Sequence, residues 1–193
     1  MKILVIGGSH GVGKKIAERA LELGHTVTIF SRNPARVGIE HSNLRLHPGD
    51  VLDGQSVKQA VNGQDAVICA LGLPTRLAAG PPFAERSYIL SGGTNNILQA
   101  MTAEGARRFM CVTAIGTGKS VNQCTTVARL SLRVGLRWLF IEKDRQEELI
   151  KSSGLDWTII RPTALTNGRE RGAKETKVGE KLRSGILTQV SRA

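Results

Sequence analysis

An apolar run, Ile3-Leu4-Val5-Ile6, leads straight into Gly7-Gly8-Ser9-His10-Gly11-Val12-Gly13 and then Lys14-Lys15-Ile16. This order reads as a buried strand, a glycine-rich turn and the first turn of a helix. Glycine admits positive φ, and its missing Cβ lets main-chain N–H groups approach a ligand closely. The helix start adds unpaired donors and a favourable dipole, so the turn is read as a cradle for a pyrophosphate. Its position between a strand and a helix is what gives the glycine pattern weight.

The same rhythm continues. Strand-like runs at Lys2 to Ile6 and Thr26 to Phe30 flank a helical pattern from Val12 to Leu23. A shorter strand around Leu44 to Leu46 precedes Gly49-Asp50-Val51-Leu52-Asp53, after which Ser56 caps a brief helix ending near Asn62-Gly63. Asp65 to Leu71 is a fourth strand, and Gly72 to Pro82 a loop. A long helix follows over about Ala84 to Ala103, then a strand at Arg108 to Thr113 and an irregular insert, Thr117 to Ile141. The helix Lys143 to Ser152, the strand Trp157 to Arg161 and a late strand at Ile186 to Val190 complete the pattern. Strands alternating with helices predict an α/β fold: one Rossmann-type domain over residues 1–193, its doubly wound parallel sheet ordered 3-2-1-4-5-6 with helices on both faces.

Composition excludes several classes. A 40% hydrophobic fraction supports a core and argues against disorder, and no apolar run reaches the roughly 18 residues of a membrane span. With no signal-like start, a cytoplasmic location is expected. Cys69, Cys111 and Cys124 lack metal-ligand spacing, so reduced structural thiols and no metal are expected. The net charge of +11 invites a nucleic-acid partner, but the basic residues are scattered and aromatics are only 4%, so none is expected.

Ligands of such a sheet bind beyond the carboxyl ends of the strands, where the strand order reverses. That rule gathers Gly7 to Gly13, Ser31 to Asn33, Asp50-Val51, Ala70-Leu71-Gly72, Thr113-Ala114-Ile115 and Pro162-Thr163-Ala164 around one crevice. An NAD site places Asp or Glu after the second strand, to accept from the ribose 2′-hydroxyl. Ser31-Arg32 stands there instead, and a guanidinium can pair with a 2′-phosphate, so NADP(H) is preferred over NAD(H). The alternative for Arg32 is a solvated loop charge. His10 can contact phosphate or be a surface side chain. Asp50 can accept from the adenine amino group while Val51 packs on the ring, or Asp50 can simply make a turn.

Together these segments, with Asp65-Ala66-Val67-Ile68-Cys69-Ala70-Leu71-Gly72 and Ser153-Gly154-Leu155-Asp156-Trp157-Thr158-Ile159-Ile160-Arg161-Pro162, resemble the short-chain dehydrogenase/reductase superfamily. The resemblance is to its atypical branch of NmrA-like and flavin reductase (biliverdin reductase B-like) proteins, over nearly the whole chain. The spacing Gly7, Gly11, Gly13 departs from that branch, which often has a middle glycine where His10 stands. The resemblance implies that Lys143 approaches the cofactor and that Pro162, Thr163 and Ala164 border the nicotinamide. The alternative for Lys143 is an exposed helix lysine paired with Glu147 at i, i+4.

Most members of the superfamily use a Tyr-x-x-x-Lys pair as proton relay. Tyr88, the lone tyrosine, has Gly92 four places on, so the pair is missing. Related flavin reductases place a serine after the threonine that ends the fifth strand, whereas Thr113 is followed by Ala114. A hydroxyl at Thr113 can substitute, or a buried Thr113 can bond a backbone carbonyl. Thr113 and Lys143 are therefore the candidate catalytic residues. Without a dedicated acid, the chemistry expected is NADPH-dependent hydride transfer to a small planar or conjugated acceptor such as a flavin, quinone or tetrapyrrole, whose conjugation disperses incoming charge. The alternative is a non-catalytic NmrA-like sensor of NADP state.

In the insert, Arg129, Arg133 and Arg137 recur every four residues, which a helix would place on one face. This reads as a cover for an acidic planar substrate or as an amphipathic helix packed on the domain edge. Gly168 to Arg183 reads as an exposed basic loop. Ser191-Arg192-Ala193 stands where the resemblance would lead into another helix, so a missing last helix or a shortened chain is expected. A monomer or weak homodimer is expected.

Overall fold

A computed structural model describes residues 1–73, 88–118, 120, 136–162, 176–178 and 188–192. Strands β1 (Lys2–Ile6), β2 (Thr26–Ser31), β3 (Leu44–Pro48), β4 (Ala66–Cys69), β5 (Arg108–Val112) and β6 (Asp156–Arg161) form a parallel sheet. Two short strands, β7 (Thr176–Val178) and β8 (Thr188–Arg192), extend it beyond β6, and β8 runs antiparallel to β6. The full order is β3-β2-β1-β4-β5-β6-β8-β7, so the expected order of the first six strands is what forms.

Helices α1 (Gly11–Glu22), α2 (Gly54–Val61), α3 (Ile89–Glu104) and α4 (Arg137–Lys151) connect them. Strands β1, β2 and β4 are buried on both faces along most of their length, and alternate residues supply two separate cores. Val5, Ile3, Val27 and Ile29 pack with Ala17 and Leu21 of α1 on one face. Leu4, Ile6, Val67, Cys69, Phe109, Cys111 and Ile159 pack on the other with Val57, Ile97, Met101 and Ile150 of α2, α3 and α4.

Three element boundaries differ from the sequence pattern. Asp53 caps α2, accepting from the N–H groups of Gln55 and Ser56, and Ser56 lies inside the helix. α3 begins at Ile89 because its start is capped from a distance: Glu142 Oε2 accepts from Ser91 N at 3.2 Å and Ser91 Oγ at 2.9 Å. α4 begins at Arg137, so Trp138, Leu139 and Phe140 are its opening turn rather than part of an irregular insert. Arg129, Arg133, Cys124 and the loop Gly168 to Arg183 fall wholly or largely outside the described residues, apart from the backbone of β7.

Candidate functional site

The sheet reverses direction at β1, which has β2 on one side and β4 on the other. Gly7, just beyond β1, holds φ at +83°, and a Cβ there would lie 2.6 Å from the Ala70 carbonyl oxygen beyond β4. A Cβ on Gly13 would lie 2.1 Å from the Gly7 carbonyl oxygen. Contacts that short are excluded, so these two glycines allow the turn, the helix and the β4 loop to meet at the reversal point. α1 then opens with no acidic residue in its first turn and no side-chain cap from His10, which leaves its leading N–H groups available to an anion. Ser9 Oγ and His10 Nδ1 lie 3.1 Å apart on the exposed rim. This cradle fits the pyrophosphate of a dinucleotide by shape and by donors.

Ser31 ends β2, and its Oγ accepts from Asn33 N at 3.2 Å, which shapes the turn carrying the exposed Arg32. Arg32 makes no ion pair among the described residues. Asp50 Oδ1 accepts from Leu52 N at 3.0 Å, so one of its oxygens does make a turn. Val51 is buried, and its carbonyl accepts from Asn96 Nδ2 at 3.0 Å. Ala70, Leu71 and Gly72 follow β4, and Thr113 and Ala114 follow β5. Pro162 follows β6, where its carbonyl accepts from Ile115 N, tying two crevice loops together. Thr163 and Ala164 lie outside the described residues.

Thr113 and Lys143 are both buried, in different circumstances. Thr113 Oγ1 donates to Glu147 Oε1 at 2.9 Å, so its partner is a carboxylate from α4 and not a backbone carbonyl. The same carboxylate accepts from Arg161 Nε at 2.7 Å, from Arg161 Nη2 at 2.5 Å and from Lys151 Nζ at 2.9 Å. Burial pushes the Glu147 carboxyl up, but Arg161 and Lys151 outweigh it and hold the group below its ordinary range.

Lys143 is only 6% exposed and makes no hydrogen bond with Glu147, whose oxygens are taken by other donors; the alternative, an exposed lysine in an i, i+4 pair, does not form. Burial lowers the pKa of its ammonium, while Cys111, Cys69 and Glu147 pull the other way. Its surroundings are Cys69 and Cys111 at the carboxyl ends of β4 and β5. Lys143 therefore lies within electrostatic reach of the carboxyl ends of β4 and β5.

Sequence reasoning passed over Glu147, Arg161 and Gln146, which lie beneath the crevice. Gln146 Nε2 donates to Thr94 Oγ1 at 2.8 Å, while its Oε1 is buried without a partner among the described residues. A signal was present. The buried face of α4 runs Trp138, Glu142, Gln146, Ile150 and, beside it, Lys143, Glu147. Polar residues at a spacing of four on the inward face mark a buried polar network. Among the described residues no cluster of His, Cys, Asp or Glu could hold a metal, and no helix is long and apolar enough to cross a membrane.

Residues 7–193 match the profile of a family described as NAD(P)H-binding. An uncharacterized chloroplastic protein of Arabidopsis thaliana is 28% identical over 97% of this chain and 68% of its own. The chain spans 42% and 30% of the length of two other curated relatives. Among solved structures, a short-chain dehydrogenase/reductase of Veillonella parvula in complex with NADP superposes with a TM-score of 0.73 at 16% identity, covering 97% of this chain and 81% of that one. ChuY, an anaerobillin reductase of Escherichia coli, gives 0.62 at 22% identity, covering 84% and 72%. At such identities the likeness is one of fold. Cradle, sheet order and profile agree: the chain has a Rossmann-type fold and belongs to the NAD(P)H-binding family.

Proposed function

We propose that this protein is an NADPH-dependent reductase of a conjugated acceptor, such as a flavin, quinone or tetrapyrrole. What supports the reading is a buried lysine, Lys143, within electrostatic reach of the carboxyl ends of β4 and β5, in a sheet whose β1 turn forms a dinucleotide cradle. The anaerobillin reductase fold neighbour supports a planar acceptor by analogy.

In this reading the leading N–H groups of α1 bind the pyrophosphate and Arg32 pairs with the 2′-phosphate, giving NADPH its preference over NADH. The nicotinamide, when bound, supplies the hydride. Thr113 does not serve as the acid, because its hydroxyl hydrogen is directed at Glu147; its remaining lone pair can accept an N–H from a ligand amide. Lys143 is the cation left to face negative charge developing on the acceptor, and its ammonium carries a proton that can follow. A buried ammonium with a lowered pKa gives that proton up more readily than a solvated one. Asp50 and Val51 would border the adenine.

Purified protein tests this directly. It is expected to bind NADPH more tightly than NADH, and to oxidise NADPH when FMN, a quinone or a linear tetrapyrrole is added. Binding without turnover across the panel would instead favour a sensor of NADP state.

A further inference from the structure

Cys69 is the last residue of β4, Cys111 is the fourth of five in β5, and the register of these parallel neighbours sets them side by side. Paired residues on adjacent strands share a face, and the strand spacing of about 4.8 Å lies within the Cα separations that disulfides span. Both thiols are free and fully buried. Their surroundings are polar for a core. Gln146 Nε2 points at Cys69 Sγ from 3.9 Å, and the Lys143 ammonium lies within electrostatic reach of both sulfurs. A thiol beside a cation and an amide donor has stabilisation for its thiolate that an inert buried cysteine lacks.

We propose that Cys69 and Cys111 are a redox modification site, at which a hydroperoxide oxidises Cys69 and Cys111 closes a reversible disulfide between β4 and β5. In the first step the Cys69 sulfur attacks one peroxide oxygen. The O–O bond breaks, leaving a sulfenic acid, and the departing oxygen takes the thiol proton to leave as water or an alcohol. In the second, Cys111 sulfur attacks Cys69 sulfur, the S–O bond breaks and water leaves with the Cys111 proton. The two sulfurs lose two electrons in all, and the peroxide gains them. The assignment of Cys69 as first to react has separate support: its hydrogen bond with Cys111 lowers its pKa against the effect of burial, the Leu71 amide and Lys143 help, and the same contact together with burial pushes Cys111 up. Side-by-side strand positions hold Cβ atoms somewhat farther apart than a relaxed disulfide prefers, so the bond should be easily reduced.

The test uses the full chain and hydrogen peroxide as the oxidant. After exposure, with native circular dichroism retained, remaining thiols are alkylated in denaturant and the digest is read by mass spectrometry. A Cys69–Cys111 linked peptide is expected in the wild-type protein, lost on treatment with dithiothreitol, with Cys124 alkylated. Cys111→Ala should halt at a sulfenic acid on Cys69 that dimedone captures, and Cys69→Ala should leave Cys111 reduced. No linked peptide in the folded wild type, a link through Cys124, or Cys111 oxidised in Cys69→Ala as fast as Cys69 in the wild type would each overturn the proposal.

Discussion

Truncating Glu147 to Ala removes the acceptor on which Thr113, Arg161 and Lys151 converge. The Arg161 and Glu147 side chains are 6% and 1% exposed, so the loss takes from a buried guanidinium the carboxylate it pairs with. Breaking a buried pair from one side costs about 3–5 kcal/mol. The Lys151 side chain is 43% exposed, and its share is at most about 1 kcal/mol because solvent screens it. At roughly 2–4 °C per kcal/mol for a chain of this size, Tm should fall by about 6–20 °C. Urea unfolding of Glu147→Leu, Arg161→Met and the Glu147→Leu/Arg161→Met double variant measures the pair as a cycle. The double variant should lose clearly less than the sum of the single losses, because no charge is left stranded. A single-variant cost under about 1 kcal/mol, or costs that simply add, would refute the network. The pH dependence follows with its sign. Glu147 sits below the ordinary glutamate range when folded, so the unfolded chain binds more protons in acid. The stability it contributes is complete above the ordinary glutamate value and lost as pH falls through the lowered one, a loss that Glu147→Gln should not show.

Other expectations follow from single contacts. Gly13→Ala forces a Cβ to within 2.1 Å of the Gly7 carbonyl oxygen, so the cradle must open; calorimetric titration should show NADPH and NADH binding weakened together, by roughly tenfold or more, since about 1.4 kcal/mol suffices for that. Arg32→Glu replaces a charge-assisted hydrogen bond worth about 1.5–3 kcal/mol with repulsion, so it should lower NADPH affinity by roughly 10- to 100-fold while sparing NADH. Unchanged preference would remove Arg32 from the 2′-phosphate. Lys143→Met should raise Tm at neutral pH by relieving a buried charge, with the gain fading as pH rises toward the ordinary lysine value, where the unfolded chain also loses its proton. The same variant should cut NADPH oxidation by roughly 100-fold or more if the ammonium assists the reaction.

Local patterns carried much of the fold because they are enforced locally. The apolar runs at Ile3 to Ile6 and Ala66 to Cys69, the glycines at 7 and 13 and the turn residues around Asn62-Gly63 report burial period and backbone sterics, which neighbouring residues settle among themselves. The cradle and the strand order were legible for that reason. The start of α3 was not, since its cap is Glu142, 51 residues downstream of Ser91. Nor were the partners of Thr113 and Lys143. A spacing of four between Lys143 and Glu147 describes two residues on one helix face, but which of Lys143, Lys151, Arg161 and Thr113 reaches the carboxylate depends on how α4 lies across β5 and β6. The sequence by itself determined where a dinucleotide could sit, because a missing Cβ and a helix start are properties of a few consecutive residues. Only the tertiary structure decided the chemistry beneath it: burial and long-range pairing committed the Thr113 hydroxyl to Glu147, lowered the pKa of Lys143 and placed Cys69 beside Cys111. Desolvation and charge pairing are set by what packs around a group, and that is a property of the assembled core.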